Sequence, residues 1–356
     1  MQRIVIADLK SYNNGGVCAG HFYAFASNYQ QIFSKSCEVK IAGGPIYRKR
    51  FSDAELMSLP CDISEGLSKL KSFFRMIRNA KSLMRQTTPS DIIIIQQSKP
   101  AQILFSLIFT CWEKRNIYHV EYSEEPMMRP YYRMAMRLRG KKILKGTLCP
   151  NDIVGRAYEM PYLVLPDYIY VSSNNNVTGN YHEKCYDFCT LGRIVYEKGI
   201  SGAALALRGK PYSYLISGYA EESSEVNIIR QAAEGCTNLT VQLDYLTDEQ
   251  YDKLLNSSRY AILNYIGAYT EKSSGVVLDM LFHGVPIIGH RCRALQFVED
   301  EHVGVLYDDI NTFDFASVLN EETYQACLVG IKNYLRRFSN DIEHLYNFLG
   351  IERIIV

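Results

Sequence analysis

Four short runs of apolar, largely β-branched residues constrain the fold of this chain more than anything else in it: Ile4-Val5-Ile6, Ile92–Ile95, Tyr214-Leu215-Ile216 and Ala261-Ile262-Leu263. Each is apolar on both of its faces, which suits a strand only when both faces of the sheet are covered. Helix-like stretches separate the runs, so the pattern is βαβ throughout and predicts parallel sheets layered by helices. With 356 residues, the chain has room for about two domains. The alternation lapses between Leu163 and Lys184, where Pro166, Ser172-Ser173, Asn174–Asn176 and Thr178-Gly179 supply turn formers without a hydrophobic period. The expected organisation is therefore α/β in two halves, residues 1–168 and 169–332. A tail, 333–356, follows in which Tyr334, Leu335, Phe338, Ile342, Leu345 and Tyr346 recur at helical spacing.

Composition excludes several other classes. A hydrophobic share of 47% with 22% charged residues suits a globular chain rather than a disordered one. The apolar run after Met1 is too short for a signal-peptide core. The stretch Ala101–Trp112, which contains Gln102 and Ser106, falls short of the roughly 20 residues a spanning helix needs. The ten cysteines are scattered, with Cys185 and Cys189 the closest pair and no second pair to complete a zinc site. His21, His182, His290 and His302 show no metal-ligand spacing either. Reduced thiols, no metal and a cytoplasmic location are expected.

The net charge of +1 conceals an asymmetry. Residues 1–165 hold 24 basic and 13 acidic side chains, a balance of +11, and the remainder holds 15 and 25, a balance of −10. The first half is expected to meet something anionic. Much of the excess lies in Ser68–Arg85, where Leu70, Phe73, Phe74, Ile77 and Met84 fall near helical spacing and Lys69, Lys71, Arg75, Arg78, Lys81 and Arg85 take the other positions. Two readings stay open: a helix that lays this apolar stripe on the sheet and solvates its basic face, or one that meets an anionic membrane surface. Arg129–Lys145 adds Arg133, Arg137, Arg139, Lys141 and Lys142. No nucleic-acid recognition motif accompanies the charge, and no nucleic-acid partner is expected.

Two segments carry chemistry. Tyr269–Gly289 reads as a loop, a helix opened by Ser273-Ser274-Gly275, a stop at Gly284, and Pro286 leading into a strand. Free amides at a helix start, with small residues allowing close approach, suit a phosphate. Glu271 and Asp279 flank that start and suit sugar hydroxyls. The second segment, Leu191–Gly199, puts Arg193 and Lys198 just past a strand, at the edge where open α/β sheets bind ligands.

Together these segments resemble the family 4 retaining glycosyltransferases of the GT-B fold. Gly192-Arg193-Ile194 with Lys198-Gly199 matches the family's GRL-x-x-x-KG stretch, and Glu271 with Asp279 matches its acid-x7-acid motif, followed by Gly284 and Pro286. Ser217-Gly218 and Leu243–Asp248 resemble its glycine turn and base-side loop, and Gly15-Gly16 its N-terminal glycine loop. The resemblance implies two Rossmann-like domains facing a cleft, with the C-terminal helix crossing back to the N-terminal domain. It implies a metal-independent transfer from a UDP- or GDP-sugar without a separate cofactor, and without a covalent enzyme intermediate. Arg193 and Lys198 would neutralise the donor diphosphate, aided by amides around Ser273, Ser274 and Gly275. Glu271 would contact the transferred sugar and Asp279 the ribose, with Tyr245, Leu246, Gly15 and Gly16 completing the donor site. The implied acceptor is lipid-linked or a growing polysaccharide of capsule or lipopolysaccharide type, met at the inner face of the membrane.

This chain departs from the family in two places. Asp279 stands where the family usually has Glu. In place of the usual N-terminal His-Asp pair it has His119 and Glu121, two residues apart on one strand face, which suit either a site or a structural hydrogen bond. Two other functions remain open on this sequence: a nucleotide-sugar epimerase of the same fold, and a non-catalytic nucleotide-sugar-binding subunit.

Overall fold

A computed structural model describes residues 2–13, 21–64, 66–96, 99–111, 114–165, 179–220, 223–271 and 274–352. The chain forms two compact units, one of Met1–Val171 with Phe338–Val356 and the other of Ser172–Arg337. Most of the expected linker, residues 166–178, lies outside the described residues, as do Gly15, Gly16 and Ser273.

The strands of the first unit are β1 (Arg3–Ala7), β2 (Tyr12–Asn13), β3 (Glu38–Gly43), β4 (Leu56–Ser58), β5 (Ile63–Ser64), β6 (Ile92–Ile95), β7 (Asn116–Val120), β8 (Leu144–Cys149) and β9 (Tyr162–Val164). Seven make one parallel sheet in the order β4-β3-β1-β6-β7-β8-β9, and β2 pairs with β5. The two isoleucine runs sit side by side at its centre, Ile4 opposite Ile92 and Ile6 opposite Ile94. Val5, Ala7, Ile93 and Ile95 pack under the helices Lys69–Gln86, Pro100–Thr110 and Pro130–Ala135. The alternate residues Ile4, Ile6 and Ile94 are equally buried on the opposite face. That side carries the His21–Phe33 and Phe338–Leu349 helices, tied together by the Tyr346 hydroxyl donating to the Ile32 carbonyl at 2.8 Å and by ring contact between Phe33 and Tyr346. Phe348 meets Tyr118 of β7 in the same layer. Asn333–Arg336 complete the preceding helix, Glu321–Arg336, and the helix that joins the first unit begins at Phe338.

The basic segment does form a helix, Lys69–Gln86, capped by Ser68 accepting from the Lys71 amide at 3.4 Å, but it is rotated from the expected orientation. Its inner face is Ser72, Met76, Asn79, Ala80, Leu83 and Met84; of the expected stripe Met84 is buried, Phe73 and Ile77 are half-buried, and Leu70 and Phe74 are 66% and 56% exposed. Asn79 explains the rotation. Its side chain accepts from the Cys61 amide at 3.0 Å and donates to the carbonyls of Cys61 and Leu9, so it must point inward to satisfy two loops.

The second unit is built on β10 (Tyr186–Leu191), β11 (Tyr214–Ser217), β12 (Leu239–Gln242), β13 (Ser258–Leu263), β14 (Ile287–His290) and β15 (Gly304–Tyr307). They form one parallel sheet in the order β12-β11-β10-β13-β14-β15. The chain winds outward one way from β10 and the other way from β13, which makes the gap between their carboxyl ends a topological switch point. In the first unit the same reversal falls between β1 and β6.

Candidate active site

Gly192 follows β10 with φ 100° and Gly218 follows β11 with φ 146°, both in the region that favours glycine. A Cβ on Gly218 would collide with the Gly192 carbonyl oxygen, so the two turns approach closely because neither has a side chain. The chain then runs through Arg193 to a 3-10 turn, Tyr196–Lys198, and a left-handed Gly199 before the Ile200–Leu207 helix. This turn brings Lys198 back over Gly192: its Nζ lies 3.5 Å from where a Gly192 Cβ would stand, and Val276 of the Gly275–Phe282 helix lies against the same position. Two distant segments, one after β10 and one after β13, are thus brought together at the switch point.

Lys198 is 6% exposed; its backbone amide donates to the Val195 carbonyl at 3.1 Å, while its ammonium has neither a hydrogen-bond nor an ion-pair partner among the described residues. Burial, and then the positive charge of Arg193, bring its pKa down to about 8. Arg193 itself is exposed and also acts on Tyr269, whose hydroxyl burial pushes up and Arg193 pulls down. Ser274 caps the Gly275–Phe282 helix in extended conformation without a side-chain cap hydrogen bond; the Val277 amide donates to the Ser274 carbonyl at 3.0 Å, and the Gly275 and Val276 amides have no hydrogen-bond partner among the described residues. The Ser217 hydroxyl, at the end of β11 beside Gly218, is buried and unpartnered among the described residues. Two cations, a helix start and a buried hydroxyl therefore converge here, with Glu197 also acting on Tyr269, an arrangement suited to an anion with hydroxyl-bearing substituents.

The remaining expected residues fall as follows. Glu271 is at the end of a 3-10 turn, exposed, and accepts from Arg293 at 3.1 Å. Arg293 was not singled out by sequence, although it sits in the loop after β14 and so at the same carboxyl edge. Asp279 is on the Gly275–Phe282 helix, where its carboxylate accepts from the Tyr251 hydroxyl at 3.5 Å and its carbonyl from the His283 amide. Tyr245 and Leu246 lie in the loop between β12 and the Asp248–Asn256 helix, with Tyr245 exposed and Leu246 half-buried.

His119 and Glu121, in the first unit, are wholly buried. His119 Nδ1 is 3.1 Å from Glu121 and its Nε2 is 2.7 Å from the Thr147 hydroxyl, and burial pushes the Glu121 carboxyl up. The pair is an internal polar network with no side chain reaching the surface. At the first unit's own switch point stand Asp8 and Gln96, next after β1 and β6; the backbone N–H of Gln96 donates to the Ala7 carbonyl at 2.9 Å. Gln96 is 1% exposed, and neither of its side-chain amide atoms has a partner among the described residues. Lys10 and Lys99 lie close enough that Lys99 depresses the Lys10 pKa, after burial.

No protein-family model matches the sequence, and no curated protein resembles it at a significant level. Solved structures do. An α,α-trehalose-phosphate synthase (UDP-forming) from Burkholderia xenovorans, in complex with glucose-6-phosphate, aligns over 98% of this chain and 100% of its own, with TM-score 0.70 and 9% identity. A glycosyltransferase from Rickettsia africae aligns over 98% and 99%, with TM-score 0.65 and 10% identity. Anabaena HepE, in complex with UDP and glucose, aligns over 98% and 100%, with TM-score 0.63 and 10% identity. The chain has the GT-B fold. At this level of identity the likeness is one of GT-B architecture, and function has to be argued from the site.

Proposed function

We propose that the protein is a retaining glycosyltransferase that moves a sugar from a UDP- or GDP-sugar to a lipid-linked or polysaccharide acceptor. The observation that carries this reading is Lys198, a buried cation whose pKa is lowered by burial and then by Arg193, at a switch point and beside a helix start. An uncompensated buried ammonium costs several kcal/mol, and an anion seated against it offsets that cost. A diphosphate fits the pair Arg193 and Lys198 together with the open amides at Gly275. These groups supply the positive charge that a leaving diphosphate requires without recourse to a metal or cofactor. The ligands bound in neighbouring structures, UDP and glucose in HepE and UDP-2-fluoro glucose in an E. coli trehalose-6-phosphate structure, support the donor class.

In this reaction the bond between the anomeric carbon and the phosphate oxygen breaks, and its electrons pass to the diphosphate held by Arg193 and Lys198. The acceptor oxygen bonds to the same face of the sugar, and its proton passes to a phosphate oxygen. Glu271 exchanges Arg293 for hydroxyls of the transferred sugar, and Asp279 takes the ribose. The acceptor is bound at the first unit's switch point, where Gln96 has amide groups to offer, and is met at the inner face of the membrane. Among the described residues no helix is long and apolar enough to cross a membrane.

Calorimetry with UDP and GDP, followed by turnover with a panel of nucleotide sugars and glycan acceptors, tests the proposal. One nucleotide should bind saturably, Lys198→Ala and Arg193→Ala should each lower turnover by roughly 10²–10³, and Gln96→Leu should raise the acceptor KM with donor affinity unchanged. Failure of both nucleotides to bind, or unchanged turnover in both cation variants, would overturn it, as would an isomerised nucleotide sugar formed without acceptor.

A further inference from the structure

The helix rotation that places Leu70 and Phe74 outside gives the first unit an apolar surface where a solvated basic helix alone would have none. Phe73, beside Phe74, contacts Phe109 at the end of the Pro100–Thr110 helix, with ring centroids 6.3 Å apart. One turn earlier on that helix Phe105 stacks on Tyr131, which opens the next apolar group. Met134 and Leu138 follow on Pro130–Ala135 and the π-helical turn Met136–Gly140 that continues it, and both are more than half exposed. Three adjoining elements of one helical layer thus expose large apolar side chains on the same stretch of surface, more than scattered surface apolar residues explain.

The charge on these elements has one sign. The Lys69–Gln86 helix holds six cations and no acid, and residues 129–145 hold seven cations and no acid. Glu125 and Glu159 neutralise Arg129, Arg137 and Lys141 from outside, while Arg78, Lys81 and Arg85 have no ion pair among the described residues. Between the first two helices runs a groove of about 420 Å³ lined by Ile77, Met84 and Phe109 together with Lys81, Arg85 and Arg115. Apolar and cationic side chains around one groove suit a ligand that carries an acyl chain and a phosphate.

We propose that this face seats the first unit on an anionic lipid bilayer, with the Lys81–Arg85 groove receiving a lipid headgroup and Leu70 and Phe74 entering the acyl boundary. A second copy of this chain is the poorer occupant, because it would bring cations against cations. The inference deepens the membrane encounter of the proposed function. It rests on surface chemistry of the first unit alone, so a test with lipid and no donor fails or succeeds separately from the transfer reaction.

Co-sedimentation of the full chain with vesicles of phosphatidylcholine, and of phosphatidylcholine mixed with phosphatidylglycerol, is the experiment. Binding to the mixed vesicles that weakens with salt, and little binding to phosphatidylcholine alone, is expected. At about fivefold per cation, Lys81→Gln with Arg85→Gln should lower partitioning roughly 25-fold. Leu70→Ser with Phe74→Ser should remove the binding that persists in high salt. Val329→Ser, an exposed apolar position of the second unit, should change neither, and circular dichroism checks that each variant is folded. No binding to the mixed vesicles, or binding that both helix variants leave intact, overturns the proposal. So does loss of binding in Val329→Ser equal to that in the helix variants.

Discussion

Lys198 is placed against its own interest in the free protein. Its folded pKa of about 8 lies below the 10.5 of an exposed lysine, so between those values the folded state binds fewer protons than the unfolded one and stability rises with pH. Below pH 8 the full penalty stands, about 3 kcal/mol from the displacement of the pKa. Lys198→Met should therefore make the free protein more stable at neutral pH, by up to about 3 kcal/mol, with the gain fading as pH climbs toward 10.5. Thermal unfolding of both proteins across that range checks the sign. A bound diphosphate acts in the other direction and raises the same pKa, so UDP binding should take up a proton and weaken as pH rises above 8, up to about tenfold per unit. Calorimetry in buffers of different ionisation heat measures that proton directly, and Lys198→Arg should abolish its uptake. The residues of this site were legible in sequence where a backbone rule fixed them: glycine after a strand, cations in the next turn, small residues at a helix start. Arg293 was not, because its partner Glu271 is 22 positions away and only the ends of β13 and β14 bring them together. Gln96 escaped notice for a different reason, since nothing in a sequence marks an amide that folding buries without a partner.

At the scale of elements, the close turn between β10 and β11 depends on an absent side chain. Gly218→Ala puts a methyl group into the Gly192 carbonyl at a φ of 146°, and separating the turns also lifts Lys198 from its place. A loss of roughly 2–4 kcal/mol is expected, from strain and displaced packing together, with UDP affinity falling in the same variant. Gly209→Ala is the control: its φ is also positive but nothing stands within 4 Å of the added atom, so it should cost about 1 kcal/mol or less and leave UDP binding intact. Denaturant midpoints and calorimetry separate the two. The strands at both sheet centres could be read in advance because apolar runs covered on two faces admit few alternatives. The rotation of the Lys69–Gln86 helix could not, because a hydrophobic period weighs Leu70 and Phe74 above an asparagine, while the fold needs Asn79 inside to hold Leu9 and Cys61.

Taken whole, the molecule should unfold in more than one step, since each unit has its own sheet and core. UDP, held by the second unit, should raise one calorimetric transition and leave the other in place. Tyr346→Ala should do the reverse, lowering the transition of the first unit by about 3–5 kcal/mol of stability through the lost ring and its hydrogen bond to Ile32. A single transition that responds to both would contradict this division. The split itself was readable as two α/β halves. What composition did not reveal is that Asn333–Arg336 finish one unit before Phe338 begins the return to the other.

That return has a consequence for biosynthesis. The second unit is one continuous stretch and has every residue it needs once Arg337 has left the ribosome. The first unit, although made earliest, waits for Tyr346 and Phe348 while the whole of the second is synthesised, an interval of roughly ten seconds or more at ordinary translation rates. Throughout that interval its sheet is covered on one face and incomplete on the other. Of the two units the one synthesised first is thus the later to close, and a nascent chain stalled before Phe338 should be the species that chaperones hold.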